Sequence, residues 1–174
     1  MSGLLFLTTE DFQIKSTTKG KNLLCTNIRG ISLILFYSTA CDHCKKLIPI
    51  FKHLPGTVNG CQYGMVNVSA NRNLIAMSRS TIAPIEFVPY ILLYHNGRPY
   101  MRYNGPYNAT EIKNFVIEVA NNIHKNSVFS PDVVKKEGKP IPEYCIAKPK
   151  CDELVCYLPM DEAYNVPSAS NQRR

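Results

Sequence analysis

The sequence has no tryptophan, no long hydrophobic run and fewer acidic than basic residues. A membrane-spanning helix needs about 20 consecutive apolar residues, and the shorter runs found here exclude that class of protein. The early run Leu4 to Leu7 is also too short for a signal-peptide core, and Glu10 and Asp11 follow it closely. We therefore expect a protein that is not secreted and that works in a reducing, cytosol-like compartment.

The composition is that of a soluble globular protein, because 45% of the 174 residues are hydrophobic and 19% are charged. This length accommodates one domain with a hydrophobic core and an appendage. The formal net charge is +7, and the basic excess lies in residues 1–124, where Lys and Arg are scattered. Since no basic run has the length of a nucleic-acid-binding arm, we do not expect nucleic acid as a partner.

Seven cysteines cannot all pair with one another within one chain. We expect Cys25 and Cys61 to be buried, inert thiols. For Cys145, Cys151 and Cys156 three alternatives stay open: a disulfide within this group, a link to a partner, or no function.

The first half of the chain favours alternating strands and helices. Residues 4–8 predict a short strand, and Thr9 with Glu10 and Asp11 favours the start of a short helix. The near-continuous apolar run at 31–37 predicts a strand covered on both faces. Apolar spacing predicts three further elements: a helix over residues 45–54, a strand over 63–68 and a short helix over 73–79.

A hairpin is the clearest local signal. Residues 87–95 predict a strand, Asn96 and Gly97 suit a tight turn, and residues 99–103 return as the antiparallel partner. A helix with one apolar face is predicted to begin at Ala109. Parallel strands early and a hairpin late indicate the α/β class, with a central mixed β-sheet flanked by helices on both faces.

The character of the chain changes near residue 127. Prolines at positions 131, 140, 142, 149 and 159 interrupt every periodic segment. We therefore divide the chain into a domain at residues 1–126 and a proline-rich, extended C-terminal tail at 127–174, which wraps on the domain surface and ends in disorder near 168–174.

Cys41 and Cys44 are the candidate catalytic residues, because they lie at the predicted junction of a strand and a helix. Thiol–disulfide exchange needs an exposed thiolate and a second cysteine within reach. Cys41, at the start of the helix, is expected to be exposed and to benefit from the helix dipole, whereas Cys44 is expected to be more buried. Asp42 and His43 lie between them and are expected to modulate the pair; His43 favours an oxidising role by stabilising the thiolate.

The active-site strand and helix of the thioredoxin superfamily resemble residues 36–49, FYSTACDHCKKLIP, which include the proline five residues after the second cysteine. Val88-Pro89 matches the cis-proline of that superfamily, and residues 94–110 are most similar to protein disulfide isomerase domains. The resemblance covers residues 20–124. It implies a thioredoxin fold in which Val88 and Pro89 contact the cysteine pair and bind the substrate peptide.

This sequence departs from the family pattern at two positions. Ala40 stands where the family has a tryptophan before the first cysteine. The buried acid that assists the resolving cysteine is expected at Leu35, so we expect slow turnover of the mixed disulfide. Glu86 is a weak candidate to replace this acid.

Two alternatives compete with catalysis. Cys41 and Cys44 could be half of a zinc site, but a structural zinc needs four ligands and the remaining cysteines are distant in sequence, so we expect no metal. The domain could instead be a redox-inactive interaction module. His53, His95 and His124 are expected at the surface or at the edge of the core.

The sequence thus predicts a thiol:disulfide oxidoreductase that leans towards oxidase or isomerase activity, acts on protein or peptide thiols and disulfides, and needs no cofactor. It leaves the oligomeric state open. The chain also resembles the thioredoxin-like proteins of large cytoplasmic DNA viruses, some of which travel in the virus particle.

Overall fold

The computed structural model describes residues 3–129, 143–145 and 156–157. The three α-helices of this part are α1 (Asp42–Lys52), α2 (Arg72–Arg79) and α3 (Ala109–Phe129). Its ten strands are β1 (Leu4–Leu7), β2 (Phe12–Ser16), β3 (Asn22–Thr26), β4 (Ile31–Tyr37), β5 (Cys61–Asn67), β6 (Phe87–Val88), β7 (Tyr90–His95), β8 (Arg98–Asn104), β9 (Glu143–Cys145) and β10 (Cys156–Tyr157).

A mixed six-stranded sheet with the order β1-β5-β4-β7-β8-β9 forms the centre of the molecule. Strands β1, β5 and β4 are parallel, whereas β7 is antiparallel to both β4 and β8. Strand β4 is buried on both faces, since Leu33, Ile34, Leu35 and Phe36 have no exposed surface. Burial on both faces therefore explains the continuous apolar run of β4, as the sequence predicted.

Helices cover both faces of the sheet, as predicted. On one face α1 and α3 pack against Leu33 and Leu35. On the other face α2 and the hairpin formed by β2 and β3 pack against Ile34 and Phe36. Alternate residues of β4 thus enter two separate cores.

The helix predicted from Thr9 is wrong. The capping signal is real, because the carboxylate of Asp11 accepts a hydrogen bond from the backbone N–H of Thr8 at 2.7 Å, but it supports only a single 3₁₀ turn, Thr9–Asp11. The chain then enters β2, which pairs with β3. Pairing with the apolar β3, together with burial of Phe12 against the ring of Phe36 at 5.7 Å, outweighs the local helix signal.

The predicted hairpin is confirmed and is attached to a neighbouring loop. Asn96 and Gly97 both have positive φ, at 50° and 77°, as a tight turn requires. The carbonyl of Gly97 accepts a hydrogen bond from the N–H of Thr26 at 2.8 Å, and the side chain of Asn96 accepts one from the N–H of Gly30 at 2.9 Å. The turn therefore connects the main sheet to the β3–β4 loop.

Helix α3 continues to Phe129, beyond the predicted boundary at residue 126. Two short pieces of the C-terminal segment lie on the domain: β9 runs parallel to β8 at the edge of the sheet, and β10 pairs with β6. The predicted disorder at 168–174 falls outside the described residues. Among the helices that the structure describes, none is long and apolar enough to cross a membrane.

Gly97→Ala should destabilise the fold more than Gly20→Ala. Both glycines have positive φ, at 77° and 74°, but a Cβ at Gly97 would meet the carbonyl oxygen of Thr26, whereas a Cβ at Gly20 meets nothing within 4 Å. We expect a loss of about 1–2 kcal/mol in the free energy of unfolding for Gly20→Ala and about 3 kcal/mol or more for Gly97→Ala. Urea unfolding followed by circular dichroism measures both, and equal losses would contradict the assigned contact.

Candidate functional site

The Cys41–Cys44 pair lies at the junction between strand β4 and helix α1. A short turn joins the strand to the helix, and in this turn the N–H of Cys41 donates a hydrogen bond to the carbonyl of Ser38 at 3.2 Å. Cys41 is the N-cap residue of α1, and its Sγ accepts a hydrogen bond from the backbone N–H of Cys44 at 3.2 Å. The predicted junction is confirmed, and the sulfur of Cys41 takes the capping place that a Ser or Asp oxygen usually fills.

The Val88–Pro89 peptide bond lies beside this pair and is cis, as the resemblance implied. The thiol of Cys41 donates to the carbonyl oxygen of Val88 at 3.6 Å. Sγ of Cys41 is therefore held between an N–H group of α1 and a carbonyl of β6. The structure thus brings together Cys41, Cys44 and Val88, which are separated by up to 47 positions in sequence.

The expectation that Cys41 is exposed is wrong. Its side chain is 4% exposed, and that of Cys44 has no exposed surface. Both are thiols in this structure and lie in the same apolar cluster as Val88. The helix-start position leaves a side chain accessible only if nothing lies against it, and here the β6 segment does.

Asp42 and His43 occupy the first turn of α1 between the cysteines. The carboxylate of Asp42 is paired with the ammonium group of Lys45 at 3.4 Å, and both side chains are largely exposed. His43 is half-buried. Asp42 therefore has its own partner in solvent, and the modulating roles of both residues stay predictions.

Neither Leu35 nor Glu86 supplies the buried acid that the family pattern places at position 35. Leu35 has no exposed surface and lies in the apolar cluster that α1 and α3 form with the sheet. Glu86 is exposed in the loop before β6. An exposed carboxylate lacks the low-dielectric surroundings of a buried proton carrier, so Glu86 does not reproduce the missing group.

Sequence reasoning missed an aromatic and cationic cluster next to β6. The guanidinium carbon of Arg102 lies 5.0 Å from the ring centroid of Phe87 and 5.7 Å from that of Tyr90, distances typical of cation–π contacts. Arg102 is opposite Leu92 in the β7–β8 register. Only the register of the hairpin, combined with the path of β6, could have indicated this contact.

The other described cysteines have the properties of inert thiols, as predicted. Cys25 is 1% exposed and Cys61 is 2% exposed. Burial raises the pKa of both thiols, that of Cys61 to about 11. Within residues 3–129, 143–145 and 156–157, no three metal-ligating side chains cluster.

The three remaining histidines lie at the surface or the core edge, as predicted: His53 and His124 are exposed, and His95 is half-buried. Burial lowers the pKa of His95. None of the three belongs to the cysteine site as the structure describes it.

A scan against protein families matches the thioredoxin model over residues 16–118, which is more than half of the chain. The chain belongs to the thioredoxin family. This family membership confirms the resemblance that the cysteine strand, the cis-proline and the hairpin suggested, and it confirms the thioredoxin fold.

Two viral proteins are similar over almost the whole chain. Uncharacterized protein 196R of Invertebrate iridescent virus 6 is 36% identical over 171 residues, which cover 95% of both chains. Uncharacterized protein 020R of Invertebrate iridescent virus 3 is 33% identical, covering 93% of this chain and 96% of the relative. The resemblance to proteins of large DNA viruses is thereby confirmed, and the similarity extends over nearly the full length of each relative.

Protein disulfide isomerases supply more distant similarity. The probable protein disulfide-isomerase ER-60 of Schistosoma mansoni is 28% identical over 72% of this chain and 26% of its own length. Human ERp44 (crystal form II) superposes with a TM-score of 0.52 at 18% identity, covering 69% of this chain and 31% of that one. The ERp44 likeness shows the fold, and the sequence relatives place this thioredoxin-family chain among proteins of thiol–disulfide oxidoreductase type.

The raised pKa of Cys61 predicts a pH-dependent contribution to stability. Its thiol ionises near pH 9 in the unfolded chain and near 11 in the folded one, so the protonated form favours the folded state until the unfolded thiol begins to ionise. Between pH 9 and pH 11 the wild type should lose about 2 kcal/mol of stability through this group. The Cys61→Ala variant should lack that loss.

Urea unfolding of the wild type and of Cys61→Ala at several pH values measures this difference. We expect the stability gap between the two proteins to narrow as the pH rises from 9 to 11. A gap that stays constant over this range would contradict the assigned burial effect.

Proposed function

We propose that the protein is a thiol:disulfide oxidoreductase that acts on protein disulfides, with Cys41 as nucleophile and Cys44 as resolving cysteine. The observation that carries this proposal is the pair of contacts at Cys41 Sγ, which accepts from the N–H of Cys44 at 3.2 Å and lies 3.6 Å from the carbonyl oxygen of Val88. The first contact stabilises negative charge on sulfur, and the second marks the side from which an extended peptide would approach.

The reaction proceeds by two exchanges. The thiolate of Cys41 attacks one sulfur of a substrate disulfide, forms a mixed disulfide and releases the other substrate sulfur as a thiolate. The thiolate of Cys44 then attacks Sγ of Cys41, which closes the Cys41–Cys44 disulfide and releases the second substrate thiol. The reverse sequence oxidises a substrate dithiol. Because the dithiol supplies both electrons and the disulfide accepts them, the reaction needs no cofactor.

Helix α1 favours the first step. Cys41 precedes the first turn of an eleven-residue helix, whose unpaired N–H groups carry partial positive charge. His43 in that turn can add a positive charge or a hydrogen-bond donor near the thiolate. Stabilising the thiolate makes the disulfide easier to reduce, which supports an oxidase or isomerase role rather than a reductase role.

The second step lacks assistance from a buried acid, because Leu35 is apolar and fully buried. Cys44 must give up its proton in an apolar cluster with no carboxylate in the expected place. We therefore infer that resolution of the mixed disulfide is slow relative to its formation, so that substrate stays attached for longer.

A redox-inactive interaction module is the second candidate function. The 4% exposure of Cys41 favours it, since a nucleophile must meet its substrate. The two candidates differ in one measurable property, which is whether Cys41 and Cys44 form a reversible disulfide.

The expected partners are proteins or peptides that carry thiols or disulfides. We propose a reducing compartment, the cytoplasm of an infected cell or the virus particle, as the place of action. The viral relatives support this location.

Equilibration in glutathione buffers should give a reversible Cys41–Cys44 disulfide. Its reduction potential should lie nearer to that of protein disulfide isomerase, about −180 mV, than to that of thioredoxin, about −270 mV. Mass spectrometry after alkylation measures the oxidised fraction, and Cys41→Ser should abolish the transition. If no buffer oxidises the pair, the interaction-module function replaces the catalytic one.

His43→Ala should make the reduction potential of the pair more negative by about 30 mV, which corresponds to about 1.4 kcal/mol. The physical reason is the loss of a group that stabilises the thiolate of Cys41. His53→Ala is the matched control, because His53 is exposed at the opposite end of the same helix. Equal reduction potentials for the two variants would show that His43 does not modulate the Cys41–Cys44 pair.

A further inference from the structure

The C-terminal segment reaches the cysteine site through strand β10. In the antiparallel pairing of β10 with β6, Cys156 is opposite Val88 and Tyr157 is opposite Phe87. Val88 is also the residue whose carbonyl oxygen lies 3.6 Å from Sγ of Cys41. A tail cysteine and the candidate nucleophile therefore flank the same residue.

Strand β10 occupies a position suited to an extended peptide. Strands β6 and β10 form a two-stranded sheet separate from the central sheet, so among the described strands β10 alone pairs with β6. Addition of an extended segment to a strand edge is a general mode of peptide recognition, in which the backbone supplies the hydrogen bonds. The protein's own chain thus lies on the edge that a substrate peptide would need in order to reach Cys41.

Strand β9 keeps this segment near the site. It pairs with β8 in parallel register, with Glu143 opposite Arg102 and Cys145 opposite Asn104. The ten residues 146–155 connect this anchor to β10. A cysteine tethered in this way has an effective concentration in the mM range, far above that of a separate protein substrate.

We propose that Cys156 is a third redox cysteine that exchanges with the Cys41–Cys44 disulfide, so that the tail acts as an intramolecular substrate of the site. This inference rests on the proposed function, which supplies the oxidised pair. The thiolate of Cys156 attacks Sγ of Cys41, the Cys41–Cys156 bond forms, and the Cys41–Cys44 bond breaks. Cys44 leaves as a thiolate and takes up a proton.

This exchange consumes no outside oxidant and is reversible. While the Cys41–Cys156 disulfide persists, Cys41 has no thiolate with which to attack the disulfide of an external substrate. Of the two tail cysteines that the structure describes, Cys145 is paired with β8 at the edge of the main sheet and Cys156 is paired with β6. The register therefore brings Cys156, and not Cys145, to the site.

The test uses the full-length Cys44→Ser variant, in which the resolving thiol is absent, treated with oxidised glutathione. Cys41 attacks glutathione disulfide and forms a glutathione adduct, and Cys156 then displaces glutathione to give Cys41–Cys156. With reduced glutathione also present at about 0.1 mM, an effective concentration in the mM range predicts about a tenfold excess of the Cys41–Cys156 disulfide over the adduct. Peptide mapping by mass spectrometry measures both species.

Two double variants serve as controls. Adding Cys156→Ser should leave Cys41 as the glutathione adduct, whereas adding Cys145→Ser should leave the Cys41–Cys156 disulfide unchanged. The proposal is overturned if the adduct persists while Cys156 is present, or if Cys41 pairs equally with Cys145 or Cys151.

The wild type in the same buffers separates this inference from the proposed function. If the wild type forms the Cys41–Cys44 disulfide but the Cys44→Ser variant forms no Cys41–Cys156 disulfide, the proposal of a third redox cysteine is rejected and the proposed oxidoreductase function is kept. If Cys41–Cys156 forms in the variant while the wild type forms no Cys41–Cys44 disulfide, the pairing stands and the oxidoreductase fails.

Discussion

The hydrogen bond from the backbone N–H of Cys44 to Sγ of Cys41, 3.2 Å long, links the fold to its chemistry. The same contact caps helix α1 and stabilises negative charge on the candidate nucleophile, so the start of the helix and the reactivity of the sulfur depend on one geometry. A cysteine one position earlier or later would lose the cap. The spacing of the two cysteines is therefore set by the first turn of a helix, in which the N–H of the third residue points back at the cap.

Sheet pairing brings the second half of the site to this helix start. Phe36, near the end of β4, is opposite Tyr90 at the start of antiparallel β7, and their rings lie 6.0 Å apart. The chain leaving β4 towards Cys41 and the chain entering β7 from Pro89 therefore meet at the same end of the sheet. The contact between Cys41 and the carbonyl of Val88 follows from that antiparallel register.

Local signals predicted the parts of this structure that local forces determine. Asn96-Gly97 indicated the hairpin because its backbone conformation suits few other residues, and the apolar run of β4 indicated a strand buried on both faces. The β2–β3 hairpin was missed because the capping signal at Thr9 favoured a helix at the start of that segment. The Arg102 cluster was missed because it depends on the packing of β6 against the β7–β8 hairpin, which no local pattern reveals. The exposure of Cys41 was wrongly predicted for the same reason: helix position alone does not reveal that β6 lies against the thiol.

The burial of Cys41 and the apolar side chain of Leu35, where the family pattern has an acid, both limit how fast the proposed site can process free substrates. A nucleophile that is 4% exposed reacts with an external protein only in the fraction of molecules in which its surroundings have opened, and its apparent reactivity falls by that fraction. Strand β10 already pairs with β6 at Val88 in the folded protein, so the proposed exchange with Cys156 does not require a separate substrate to reach the covered site. Under the proposed mechanism, a covered Cys41 and slow resolution by Cys44 together favour long-lived exchange with the tail over rapid turnover of many free substrates.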